Sequence, residues 1–118
     1  MKYKLTDETI KHNGITLYRI QALIDFSCVK ARDLGGWIES EGNLSQDDNC
    51  WVFGNARVFG NAEVFGNAQV YGNCWVFENA RVFGKARVFG NVKVFGKARV
   101  FGNAWVYGNT EIKDVCIR

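Results

Sequence analysis

Residues 57–90 read RVFGNAEVFGNAQVYGNCWVFENARVFGKARVFG, and nearly the same six residues return on either side of this stretch. Counting from Val52, the unit Val-aromatic-Gly-Asn-Ala-x occurs ten times without insertion, and an eleventh, degraded unit starts at Ile112. A short fixed period is the mark of a solenoid, because one unit cannot bury its apolar side alone and has to stack on copies of itself. Within the unit, a small residue, a freely varying residue and Val alternate in, out, in, as a three-residue strand does. Ala56 and Val58 are expected to point inward and Arg57 outward. The aromatic-Gly-Asn that follows turns the corner, since Gly permits positive φ and Asn tolerates it. With three such sides to a coil, Trp51 to Cys116 supplies about 3.7 coils and a rod section roughly 18 Å tall at the usual strand spacing.

The register extends upstream. Ile38, Gly42 and Leu44 keep the spacing, and two extra residues in LSQDDNCWV (residues 44–52) predict a widened corner at Gln46 to Asp48. The solenoid is therefore expected over residues 37–118. An Asn-Gly hairpin signal at Asn13 and Gly14 sits in a β-rich stretch, and a solenoid end needs a cover for its unpaired backbone, so residues 1–36 are expected to form an N-terminal β-hairpin cap. The fold class expected is all-β: a three-sided parallel β-helix with that cap.

The units resemble those of the left-handed β-helix (hexapeptide-repeat, trimeric LpxA-like) superfamily, which places an aliphatic and a small residue in the same two inward slots. VKARDLGGWIESEGNLSQDDNCWV (residues 29–52) further resembles the segment leading into the β-helix of bacterial and prophage proteins labelled acyltransferases or polymer-forming proteins. Together the resemblances cover about residues 16–116. They imply a left-handed coil, a trimer, and a phage or mobile-element origin. Phe or Tyr stands here where the superfamily often has Gly.

A chain of 118 residues has room for one small domain. Residues 1–50 carry 6 Lys/Arg against 8 Asp/Glu and residues 51–118 carry 9 against 4, so the repeats are the basic half. No basic-apolar-small leader pattern and no bilayer-length apolar run occurs, which predicts a cytoplasmic protein without a membrane partner. Cys50, Cys74 and Cys116 fall on the Ala slot, none of them in stacking register with another, and are expected as buried free thiols; Cys28 has no assigned place.

Superfamily acyltransferases resemble one another in a catalytic His at a subunit boundary, and superfamily carbonic anhydrases in three His metal ligands. This chain has only His12, beside the Asn-Gly turn, read as a surface turn residue. No paired cysteine spacing suggests zinc. Glu39, Glu41, Asp47 and Asp48 read as a solvated entrance to the solenoid, and the repeated glycines as corners, not phosphate loops. The expectation is a protein that is no enzyme and uses no cofactor.

The outer surface carries the variation. With three units to a coil, one side holds Arg57, Trp75, Lys93 and Glu111, a second Glu63, Arg81 and Arg99, and a third Trp51, Gln69, Arg87 and Trp105. Trp and Arg dominate contact hot spots, which makes Trp51, Trp75, Trp105, Arg57 and Arg87 candidates for binding a protein partner. Arg81, Lys85, Lys93, Lys97 and Arg99, part of a basic band around the rod, are candidates for binding an anion such as a nucleotide or nucleic acid. Phe53, Tyr71, Phe89 and Tyr107 should stack in one corner ladder, Phe59, Phe77 and Phe95 in another, and Phe65, Phe83 and Phe101 in a third, stiffening the corners or meeting another subunit. The function expected is a non-catalytic scaffold that self-associates, most simply as a trimer, and binds a protein partner. The alternatives are an anti-defence protein that sequesters a nucleotide or blocks a host effector and, last, an acyltransferase.

Overall fold

Each hexapeptide folds as its residue order requires. The computed structural model describes residues 1–118 and is nearly all β, with a single 3-10 turn at Glu41–Asn43. Three longer strands come first: β1 (Tyr3–His12), β2 (Ile15–Ala22) and β3 (Leu34–Ile38). Short strands follow, one per repeat: β4 (Trp51–Val52), β5 (Arg57–Val58), β6 (Glu63–Val64), β7 (Gln69–Val70), β8 (Trp75–Val76) and β9 (Arg81–Val82). The series closes with β10 (Arg87–Val88), β11 (Lys93–Phe95), β12 (Arg99–Val100), β13 (Trp105–Val106), β14 (Glu111–Lys113) and β15 (Cys116–Ile117).

Strands one coil apart pair in parallel, Arg57 with Trp75 and Val58 with Val76, and this step generates three sheets in the orders β3-β5-β8-β11-β14, β4-β7-β10-β13 and β6-β9-β12-β15. Valine stacks on valine along the axis: Val58, Val70, Val76, Val82, Val88, Val94 and Val100 are all fully buried. The Ala slot fills the remaining space, with Cys50 and Cys74 as its two thiol members, and burial pushes both thiols up in pKa. Burying a valine fully stabilises by about 1.5–3 kcal/mol, and here every unit contributes one.

The corners are held by the backbone. Asn67 N–H donates to the Gly84 carbonyl at 2.8 Å, and Asn73 to Gly90 and Asn91 to Gly108 at the same distance. Gly72 sits at φ +77, and a Cβ added there would lie 2.8 Å from the Gly90 oxygen, so this corner needs glycine for conformation and for space. One corner departs from the pattern: Glu78 and Asp114 adopt φ +59 in glycine slots. Their carboxylates accept from Gly96 N–H at 2.9 Å and Lys97 N–H at 2.8 Å, a charge-assisted bond that offsets the strain.

At the N-terminal end Asn13 and Gly14, at φ +50 and +86, make the two-residue hairpin turn between β1 and β2. β2 then pairs antiparallel with β3, which pairs parallel with β5, so hairpin and one solenoid side form a single seven-stranded sheet. Trp37 pairs with Arg57 and Leu44 bridges Val64, and each of these steps along the chain is two positions longer than the step from Trp51 to Gln69. The two extra residues form the widened corner, and the chain's own start fills it. Lys2, buried, donates from Nζ to the carbonyls of Asp47, Asp48 and Cys50 at 3.3, 3.3 and 2.7 Å, while Gln46 Oε1 accepts from the Lys2 and Tyr3 amides.

One inward assignment, at the C-terminal end, needs correction. Cys116 is exposed, because β15 pairs Arg99 with Cys116 and Val100 with Ile117, one position short of the step made by every other pair in that sheet. One residue is missing from that last corner, so Cys116 takes the outward slot and Ile117 the valine slot. Cys28 is exposed in the loop before Val29, and all four cysteines are free thiols.

Candidate functional site

The side that starts at Arg57 is built by β5, β8 and β11, whose outward residues Arg57, Trp75 and Lys93 stack one above another because their strands pair in register. Asn55, Asn73 and Asn91 from the adjoining corner flank them, and the six residues line a shallow polar groove. Trp75 is half-buried, with the Arg57 guanidinium 5.8 Å and the Lys93 ammonium 4.8 Å from its ring. Two cations on one indole leave the groove positive and hold the ring still.

His12 joins this cluster, contrary to its reading as a surface turn residue. It is the last residue of β1, not part of the turn, and the hairpin lays it over the rod at 6% exposure, 4.6 Å from the Phe59 ring and 4.3 Å from Trp75. Arg57 donates to His12 Nδ1 at 2.7 Å, which selects the neutral tautomer protonated at Nε2. Burial, then the charges of Arg57 and Lys93, lower its pKa. Protonation is thus easier in the unfolded chain than in the folded one. The stability this site contributes is complete above the ordinary histidine value of 6.5 and declines as pH falls below it. Thermal melting should show a fall in stability as the pH is lowered from neutral through the ordinary histidine value, and a His12→Gln protein should lose that dependence.

Trp51, expected on the surface of the third side, is 1% exposed. The rings of Tyr3 and Phe26, at 6.0 and 5.2 Å, fold over it, so it anchors the cap and is withdrawn from any partner. Arg87 and Trp105 remain outside, the guanidinium 5.8 Å from the indole, and Trp105 is 61% exposed beside Tyr107 at 60%. The structure therefore divides the five partner-binding candidates into three groups. Arg57 and Trp75 line the groove under His12, Arg87 and Trp105 stand at the C-terminal end, and Trp51 is core.

The corner rings come together in three ladders. Phe59, Phe77 and Phe95 stack with centroids 5.1 and 5.0 Å apart, Phe65, Phe83 and Phe101 at 4.8 and 5.1 Å, and Tyr71, Phe89 and Tyr107 at 5.1 and 5.4 Å. Phe53 meets Tyr71 edge-on at 6.0 Å instead of stacking. Phe59 alone among these rings is buried, under the hairpin; most of the others are half-covered. The basic candidates are dispersed: Arg81 stacks on Arg99 and lies 3.6 Å from Glu63, Lys93 belongs to the groove, and Lys85 and Lys97 occupy corners. Of the acidic residues at the entrance, Glu39 accepts from Gly60 N–H at 2.8 Å and Glu41 from the Gln46 amide at 3.1 Å, so both hold the first coil in place.

No family model matches the chain. The Escherichia coli (strain K12) protein named "Uncharacterized acetyltransferase YdcK" is 37% identical over 60 residues, which take in 44% of this chain and 18% of the relative. Parallel strands stacked at a constant step of three repeats make the chain a β-solenoid. That architecture and this likeness together fit a hexapeptide-repeat β-helix. The chain spans less than a fifth of that relative's length. No helix is long and apolar enough to cross a membrane.

Proposed function

We propose that this β-solenoid is a non-catalytic scaffold of phage or mobile-element origin that self-associates, in the simplest case as a trimer, and binds a protein partner through its Trp/Arg surfaces in the bacterial cytoplasm. The observation that carries it is Arg87 beside Trp105 and Tyr107, an exposed aromatic and cationic cluster on a rigid rod. Large planar side chains on fixed backbone lose little freedom when covered, which favours them as contact anchors. Sequestration of an anionic ligand by Arg81 and Arg99 is the lesser form of the same idea, and Glu63 already engages part of that charge.

The name of the Escherichia coli relative favours a second reading, acetyl transfer, with His12 as its one candidate base. His12 is covered by Phe59 and Trp75 and its Nδ1 is occupied by Arg57, which tells against it. The test pairs two measurements. The native chain immobilised as bait should retain a discrete host protein that a Trp105→Ser/Arg87→Ser bait does not. Acetyl-CoA turnover by the native chain that vanishes in His12→Ala would replace the scaffold reading, as would equal retention by both baits.

A further inference from the structure

Two cations of the solenoid are placed unlike the rest. Arg57 and Lys93 are half-buried, whereas Arg81, Lys85, Arg87, Lys97 and Arg99 are exposed. A charge withdrawn from water is costly unless an opposite charge or hydrogen bonds take the place of that water. Neither cation has a carboxylate, for the two ion pairs of the chain join Arg19 to Glu8 and Arg81 to Glu63. Glu111, the one acid of their column, stands exposed one coil beyond Lys93 and pairs with neither. Arg57 gives one N–H to His12 Nδ1, and its remaining guanidinium donors have no acceptor in the chain.

The groove that runs between these cations is lined by further donors. Asn73 and Asn91 donate their side-chain amides to the asparagine one coil on, at 3.4 and 2.9 Å, but Asn55 makes no such bond, so the ladder stops short at its Arg57 end. The Asn55 backbone amide is unused as well, while those of Asn73 and Asn91 donate to Gly90 and Gly108. No Asp or Glu lines the groove, whose volume of about 430 Å³ falls in the range of small-molecule clefts. Two positive charges, free N–H groups and no competing carboxylate suit a doubly negative tetrahedral oxyanion better than a carboxylate, which brings a single charge.

We infer that the groove of Arg57, Trp75 and Lys93 is a binding site for a phosphoryl dianion, carried by inorganic phosphate or by a small phosphate monoester, with Arg57 and Lys93 balancing its charge and the Asn55 amides donating to its oxygens. Trp75, which has the guanidinium at 5.8 Å and the ammonium at 4.8 Å, sets the spacing of the two cations. The site is separate from Arg81 and Arg99 and from the Arg87 and Trp105 surface, so the proposed function stands or falls without it.

His12 is the chain's one histidine and lies 2.7 Å from Arg57, so its ring protons give an unambiguous NMR reporter of the groove. The native chain is titrated with inorganic phosphate, glycerol phosphate and acetate at constant ionic strength in sodium chloride, at about pH 7.5, where a phosphate monoester is a dianion. Both phosphates should move the His12 signals along a saturating curve, and acetate should not. Lys93→Gln, which leaves the His12 hydrogen bond in place, should weaken binding by about tenfold or more, the loss of one charge-assisted bond. Asn55→Asp, a change of the same shape at an exposed corner, should do likewise, so the test holds even if Lys93→Gln does not fold. Arg81→Gln should bind as the native chain does. Tighter binding of the ester would identify a monoester as the ligand, and the reverse order the free ion; either supports the site. The inference is overturned by the absence of a saturable shift with both phosphates, by a shift that acetate reproduces, by one that neither Lys93→Gln nor Asn55→Asp weakens, or by an equal loss in Arg81→Gln.

Discussion

A Gly36→Ala chain should melt about 10 °C or more below the native protein, the largest loss expected of so small a change. Gly36 lies in β3 where the cap's sheet becomes the solenoid's, and it is fully covered. Its φ is not in the left-handed region, so alanine carries no conformational penalty there. The cost is space. An added Cβ would sit 2.6 Å from the Ala56 carbonyl oxygen and 2.7 Å from Val52 Cγ1, and neither a backbone oxygen nor a core valine can swing aside. Overpacking a tight core costs about 1–3 kcal/mol and occasionally more, and this site belongs to the upper end because backbone is on one side of it. Gly54→Ala is the control: at φ +59 it carries the conformational strain but has nothing within 4 Å. If the two variants melt together, crowding between β3 and the first coil is not what seats the cap.

The second large effect concerns the ladders. Phe77→Ala removes the middle ring between Phe59 and Phe95, which stack on it at 5.1 and 5.0 Å nearly parallel. Truncating a well-packed Phe costs about 3–5 kcal/mol, and for a half-covered ring with two stacked neighbours about 2–4 kcal/mol is expected, measured by denaturant unfolding. The oligomeric mass should stay the same, since these contacts lie within one chain. Dissociation without loss of chain stability would mean instead that the ring faces another subunit. Unchanged melting and unchanged mass would show that the corner rings do neither.

The period was legible because every slot has its own physical duty: the valines must reach the axis, the varying residues need not, and the corners require glycine or a residue that tolerates its backbone. The widened corner could be counted for the same reason, since Leu44 and Val52 both had to remain inward. What escaped counting depends on parts of the chain that meet only after folding. Trp51 occupies an outward slot in the repeat and is buried because Tyr3 and Phe26 come back over it. His12 is buried because the hairpin crosses the Phe59 and Trp75 column, and no local pattern around His12 announces that column. Cys116 was different, for its signal was present: Cys116-Ile117 is itself a variable residue followed by a β-branched one, the strand signature, one position early. Reading the unit as a strict hexapeptide to the end overrode it.

The constant step between paired strands has a kinetic consequence. Beyond the widened corner, nearly every strand meets the one three repeats further along, however tall the rod, so the loop to be closed does not lengthen as coils are added. Closure entropy rises with loop length, and folding slows as the separation of contacting residues grows. A chain of this design meets the same barrier at each coil and gains a full set of hydrogen bonds each time. The hairpin, joined by a two-residue turn, is the cheapest contact to form and offers the first edge. Ordering should then advance from the cap toward Arg118 like a zip, with a rate set by the slowest single coil and nearly independent of how many repeats follow.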